Sequence, residues 1–378
     1  VLSHYDAKAH LVVARRVLDS LTPGWQQVGA VWLPLPHLIQ LLPIQVDFLY
    51  RTGAFASLVS IVCLAITTYA AARLVLRVTG SGLGAVVCSA LLVLNPNLLY
   101  LHTTPMTEPL LLATSMLVVL WLLEWIEDDR DTVPWGLAVA LFAAAWTRYE
   151  AWAVIGAALA AAGCAVWRRG SDAATLGRRL AHVAVWPALS VVIFLINSRI
   201  TVGAWFVSDG FYVPDPTYAH QPLKTLVGIW WGTHELSGYA IEAAASGAAA
   251  LVAWRSLSRR QDAPLLITTG LFAAAAVPIV AFYDGHPYRI RYMIPVVAAC
   301  ALFSGLAVGL VPGRAALARI LARLRLRPPS MWLRLASGSI SCPHSVRARP
   351  LGIRAALAGA LVASLLIESP LWSTKAPM

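Results

Sequence analysis

Few residues in this chain are equipped for chemistry, and their spacing groups them. Asp6 and His10 are one helical turn apart, so on a helix they share a face. Asp6 is either a general base for an attacking hydroxyl or a solvated acid near the positive end of a helix dipole. Glu108 sits in Thr107-Glu108-Pro109 at the head of an apolar run. It reads as an acid facing a cavity and as a helix start, with Thr107 as N-cap and Pro109 in the first turn. Arg148 and Glu150 occupy a gap of four residues between two apolar runs, too short for a loop, which leaves a substrate contact or a structural ion pair. Arg289, Arg291 and Tyr292 open a late apolar run. The planar guanidinium fork suits phosphate, and the competing role is a headgroup anchor. His102 and His286 complete the set of candidate binding residues. The histidines show no HExxH or His-x-His spacing, so a catalytic zinc site has no support, and a divalent ion held by carboxylates stays open with no ligands assigned. No Walker loop and no GxGxxG fingerprint is present.

The elements that must position these residues are membrane-spanning helices. The chain has 378 residues, is 59% hydrophobic and only 12% charged, with a mean hydropathy of +0.70. A soluble domain carries roughly 25% charged residues. The expected fold is therefore all-α and polytopic, with about ten transmembrane helices, over 52–72, 83–94, the run to 123, 133–146, 151–167, 180–196, 239–254, 263–282, 293–311 and 355–367. Residues 1–51 precede them as amphipathic helices at a membrane surface. The first has an apolar stripe of Leu11, Ala14, Val17, Leu18 and Leu21, with Arg15, Arg16 and Asp19 toward water or headgroups. A second short apolar helix follows the break at Trp32-Leu33-Pro34-Leu35-Pro36. The stretch 197–237 reads as a long polar-aromatic loop containing Asp209, Asp215, His220, His234 and Glu235.

The net charge of +11 is spread between spans rather than gathered on a patch, so nucleic acid is not an expected partner and membrane lipids are. Loops assigned alternately to two faces separate cleanly. One face (73–82, 124–132, 168–179, 255–262, 313–354) holds 19 basic and 7 acidic residues, and the other holds 10 and 11. The basic face is expected to be cytoplasmic. Every candidate above then falls on the extracytoplasmic face, as do seven of the nine histidines. Ionisable residues near membrane depth usually line a cavity. Three parts are expected: a transmembrane unit at 1–312, an Arg-rich cytoplasmic segment at 313–354, and a last helix with its tail at 355–378. Four of the five cysteines lie in apolar runs and imply no disulfide framework. Because the chain opens on a surface segment, a span preceding residue 1 is expected.

The order of these motifs resembles the GT-C superfamily of membrane glycosyltransferases, in particular bacterial relatives of protein O-mannosyltransferases and of the aminoarabinose transferase. The resemblance rests on Asp6 with its amphipathic helix, the Trp-x-Pro stretch, Asn95-Pro96, Thr107-Glu108-Pro109, Thr147-Arg148-Tyr149-Glu150 and Arg291-Tyr292 with Pro295, and runs over most of residues 3–312. It implies an inner-membrane enzyme that transfers a hexose or pentose from a polyprenyl-phosphate carrier to a lipid, glycan or protein acceptor on the extracytoplasmic side. By the resemblance, Asp6 is the base and Arg291, with Arg289, binds the carrier phosphate. The chain departs from the pattern where Asp-Glu is usual and Asp6-Ala7 stands, which makes Glu108 the substitute second acid. A polytopic transporter or lipid flippase is the competing expectation, and it would place ionisable residues along a midplane path.

Overall fold

Backbone in hydrocarbon must satisfy its own hydrogen bonds, and apolar runs this long do so as helices. The computed structural model describes residues 2–129, 132–207, 210, 212–311 and 352–369, and among them it is all-helical with no strand. Three short helices, α1 (Tyr5–Arg16), α2 (Leu35–Gln40) and α3 (Asp47–Thr52), lead into α4 (Ala54–Thr79). There follow α5 (Gly82–Val93), α6 (Pro96–His102), α7 (Glu108–Glu127), α8 (Trp135–Ala145), α9 (Glu150–Arg168) and α10 (Ala173–Val202). The chain continues with α11 (Pro222–Ser237) and α12 (Tyr239–Ser258). An irregular run, Arg260–Tyr283, contains α13 (Leu266–Thr269) and α14 (Ala276–Tyr283), and α15 (Ile294–Leu310) and α16 (Ile353–Glu368) complete the order.

All ten apolar stretches are helical, but their lengths differ. Among the described residues, six helical segments are long and apolar enough to cross a membrane, or up to eight if the bent pairs α5–α6 (66°) and α11–α12 (115°) each count as one span. The eleven residues of α8 extend only about 17 Å at 1.5 Å per residue, well short of a 30 Å hydrocarbon core. Helices α7 and α15 form the centre, being the most deeply buried of the long spans. Small residues let α5 press against α15: a Cβ on Gly84 would stand 2.5 Å from the Gly305 carbonyl oxygen. Such close backbone approach is the usual means of packing helices in lipid, where apolar attraction between helices is weak.

Two parts of the sequence reading are corrected. The stretch 197–237 is not one loop, since α10 runs on to Val202 and α11 begins at Pro222. Its tryptophans suggested a polar-aromatic loop, yet α11 turns Leu223, Leu226, Val227, Trp230 and Trp231 outward and buries Thr225, Gly228, Gly232 and Thr233. That i, i+3, i+4, i+7 stripe is an exposed apolar surface suited to lipid, with the opposite side turned to the protein. The stripe expected on α1 also ends early, because the helix stops at Arg16 and leaves Leu18 and Leu21 exposed. The buried face is Ala7, His10, Leu11, Val13 and Ala14 instead. Asp209 and most of the Arg-rich segment, 313–351, lie outside the described residues, as does the tail after 369.

The grouping of loops by charge has a structural counterpart. Arg77 pairs with Glu127 and with Asp128 at 2.8 Å, Arg73 with Glu124 at 3.4 Å, and Arg179 with Asp129 at 2.5 Å. Loops 73–82, 124–132 and 168–179 therefore meet at one end of the bundle. Asp6, Arg148, Glu150 and Arg291 meet at the other.

Candidate functional site

The site is assembled where three long helices begin. Glu108 is the first residue of α7, Glu150 the first of α9, and Arg291 lies in the single 3-10 turn that leads into α15. Their N-terminal dipole ends share this neighbourhood and favour negative charge there. The leading segment closes over them. Leu35 N–H donates to the Trp146 carbonyl (3.0 Å), and the Tyr149 hydroxyl donates to the Val31 carbonyl (3.1 Å). Arg15 fixes α1 to α3 through Asp47 at 2.7 Å, while also pairing with Asp19.

Five charges form an alternating chain, Glu150–Arg148–Glu108–Arg291–Asp6. Arg148 Nη2 lies 2.6 Å from Glu150 Oε1, and Nη1 lies 3.2 Å from Glu108 Oε1. Glu108 Oε1 is also 3.8 Å from Arg291 Nε, and Arg291 Nη2 is hydrogen-bonded to Asp6. Tyr292 lies between the two guanidiniums, 5.7 Å from that of Arg148 and 5.6 Å from that of Arg291. Burial disfavours the charged form of Arg148, but Glu150 and Glu108 outweigh it and hold the guanidinium above its usual range. With three carboxylates and two guanidiniums, the chain carries one surplus negative charge. Arg289 lies close by.

Asp6, Arg148, Glu150 and Arg291 border one or both of two adjacent spaces. An inner cavity of about 180 Å³ is lined by Asp6, His10, Arg148, Glu150 and Arg291, with Trp32 and Tyr149. A wider outer groove of about 850 Å³ runs along α1 to Arg289, Tyr212 and Val213. Asp6, Trp32, His286, Arg291 and Tyr292 line both, so the Asp6–Arg291 pair belongs to the wall the two share. His286 lines both spaces, its Nδ1–H donating to the Pro287 carbonyl at 2.8 Å, and its burial lowers its pKa.

Of the residues singled out by sequence, Asp6, His10, Arg148, Glu150, His286, Arg291 and Tyr292 line the inner cavity, and Arg289 lines the groove only. Glu108 does not line either space. It is 1% exposed and lies behind both arginines as their shared counter-ion. Thr107 makes no cap hydrogen bond; its hydroxyl accepts from Arg148 Nη1 at 2.9 Å, which displaces the expected capping role. His102 is turned away, with Nδ1 2.7 Å from the Leu98 carbonyl. Sequence reasoning placed His37 on the extracytoplasmic face and quoted Trp32 and Tyr149 in motifs, but assigned none of them, nor His4, to the site. His4 caps α1 by accepting from Asp6 N–H and rests against Arg291. His is an unusual cap, so no spacing rule marks it. Among the described residues no group of three or more His, Cys, Asp or Glu is placed to hold a metal ion, so no metal ligands are assigned.

No family model, no curated protein and no solved structure matches this chain.

Proposed function

We propose that this is a membrane glycosyltransferase of the GT-C kind, which moves a hexose or pentose from a polyprenyl-phosphate carrier to a hydroxyl of a lipid, glycan or protein. The observation that carries the reading is the Asp6–Arg291 pair in the wall shared by an inner cavity and an outer groove. A group transfer needs an anion-binding cation and a base side by side, with separate access for donor and acceptor. Here the residues are 285 positions apart in sequence and in direct contact. The order of short motifs described above adds to the reading, as does the gathering of charge at one end of the bundle rather than along a midplane path.

In this mechanism the carrier phosphate takes Arg291 away from Asp6. The guanidinium then stabilises the charge that develops on the departing phosphate. Asp6, released from its pair, accepts the proton of the acceptor hydroxyl as that oxygen bonds to the anomeric carbon and the carbon–phosphate oxygen bond breaks. Glu108 and Glu150 hold Arg148 and Arg291 at the right spacing. The surplus negative charge is offset by Arg289 and by the three helix N-termini. The basic loops face the cytoplasm by the positive-inside rule, which puts the cavity on the extracytoplasmic side of the inner membrane, with ten spans if α8 and α16 also cross.

The test is sugar transfer in membranes supplied with labelled polyprenyl-phosphate hexose or pentose, comparing the wild type with Asp6→Asn. Transfer by the wild type and its loss in a normally folded variant is the expected result. A wild type that transfers nothing from any carrier-linked sugar overturns the reading and leaves the transporter or flippase in its place.

A further inference from the structure

The inner cavity contains a polar element that the charge chain does not use. His10 lines the cavity, is 3% exposed, and makes its one described hydrogen bond through Nδ1, 3.1 Å from Nε2 of His37. His37 lies behind it on α2 and lines neither space. The Trp32 ring packs on His10 with centroids 4.5 Å apart and borders the same cavity. Burial lowers the His10 pKa to about 3 and that of His37 well below its ordinary value, so both rings are neutral at pH 7. Their shared proton leaves His10 Nε2 as either a donor or an acceptor toward the cavity. A hydroxyl can meet either form, because it both gives and accepts, whereas a phosphate or carboxylate requires a donor. An anion is better served by Arg148 and Arg291. The cavity, about 180 Å³ by the space open to a water-sized probe, has room for a sugar ring.

Resting on the glycosyl-transfer reading, we propose that Trp32 and His10 form the sugar-ring subsite: the indole face covers the apolar face of one monosaccharide, and His10 Nε2 hydrogen-bonds a single ring hydroxyl. His37 is a positioning residue. It holds the His10 ring in place and fixes which nitrogen faces the sugar. The charged residues then act on the phosphate and the acceptor, while this neutral pair reads the sugar.

The experiment uses the full-length protein in lipid nanodiscs with polyprenyl-phosphate hexose and its monodeoxy analogues, one hydroxyl removed at a time. The wild type is expected to disfavour one monodeoxy donor by roughly tenfold or more in kcat/KM, the worth of one neutral hydrogen bond. His10→Phe should remove that discrimination while the other monodeoxy donors keep their ranking. His37→Phe should blunt it, with His37→Gln retaining part. Trp32→Leu should raise KM for every donor, and Trp32→Phe should recover most of the loss. Because His10→Phe can misfold, Trp32→Phe and His37→Gln provide the milder readings, with thermal unfolding as the check. A wild type that transfers sugar without preferring any hydroxyl overturns the subsite alone. So does a His10→Phe protein that keeps the wild-type preference, or one that loses all donors equally. A wild type that transfers nothing overturns the subsite together with the function on which it rests.

Discussion

The two ends of the helical bundle are built from the same residue types and put them to different uses. At the end where loops 73–82, 124–132 and 168–179 meet, Arg73 and Arg77 pair with Glu124, Glu127 and Asp128 at partly exposed positions, and the mostly buried Arg179 pairs with the exposed Asp129. The side chains of Arg77 and Glu127 are 29% and 27% exposed. At the cavity end, Arg291 and Glu108 are 5% and 1% exposed and have no such access to water. Exposed pairs contribute little because water already solvates both partners. Buried pairs must offset a large desolvation cost and are weak evidence for a stabilising role. A fold that needed only to be held together would gain more from apolar side chains at the start of α7 and α15. The buried chain of five charges is better understood as a structure kept for what it does to a ligand. Its burial and the cavity beside it are features that the other network lacks.

The sharpest way to break this contrast is Arg291→Met. It leaves Asp6 and Glu108 facing each other without their common cation. Stability should fall by about 3–5 kcal/mol, the usual cost of leaving a buried charge unpaired. Sugar transfer should fall about a hundredfold or more, as when one transition-state donor is removed. Adding Glu108→Gln to this variant should restore much of the stability and none of the transfer. Recovery of both together would mean that Arg291 is structural only.

Glu108→Gln by itself comes next. Glu108 touches neither space, so its loss should act through the arginines: stability lower by about 1.5–3 kcal/mol, the range for a charge-assisted hydrogen bond, and kcat/KM lower by roughly tenfold through misplacement. Steady-state kinetics beside a thermal unfolding curve measure both. A drop as deep as that of Arg291→Met would make Glu108 a direct participant and move the substrate closer to α7.

A smaller effect is expected from acid. His10 keeps its proton off in the folded chain, with a pKa of about 3 against 6.5 when unfolded. The unfolded state therefore binds more protons between these values, and stability rises with pH across the window. The contribution is complete above about pH 6.5 and is lost as the pH falls toward 3. Burial is the main cause; Glu108 opposes it, and Arg148, Arg291 and His4 add to it. His37 on α2 is shifted in the same direction. The unfolding midpoint should fall from pH 7 to pH 4.5, less steeply in His10→Asn and least in the variant that also carries His37→Asn. Identical slopes in all three would assign the acid sensitivity elsewhere. At the opposite end, Arg179 and Asp129 offer no buried neutral imidazole and should show no corresponding change.

How much of this was legible from sequence depends on the physics of each part. Hydropathy alone marks all ten apolar stretches, because a helix in lipid is recorded in composition. It does not mark where a span breaks, since the bends after α5 and at Gly238 depend on local backbone and on contacts such as Tyr239 N–H to Glu368. The candidate residues were legible because charge is costly at membrane depth, so Asp6, Arg148, Glu150 and Arg291 stood out against their surroundings. Their partners were not. Nothing local tells Thr107 that its hydroxyl will serve Arg148, or places Glu108 behind the cavity rather than in it. Trp32, part of the Trp-x-Pro stretch, and His37, one of the histidines placed on the extracytoplasmic face, were not marked as partners of His10, because only the fold brings them against it.

The smallest expected effect tests the other side of the contrast. Arg77→Ala removes the cation that holds Glu127 and Asp128 and faces Glu124. Each of these carboxylates keeps access to water, so none is left stranded, and the stability change should stay within about 1 kcal/mol. The wild-type advantage should shrink further in high salt, where exposed charges are screened. Sugar transfer should be unchanged, because no residue of this network borders the cavity or the groove. Thermal unfolding at two salt concentrations, with transfer measured on the same preparation, gives the comparison. A loss as large as that of Glu108→Gln would show that exposure does not separate the two ends. The difference between them would then lie in how each network ties helices together, with Arg77 linking α4 to α7 as firmly as Arg148 and Arg291 join α7, α9 and α15.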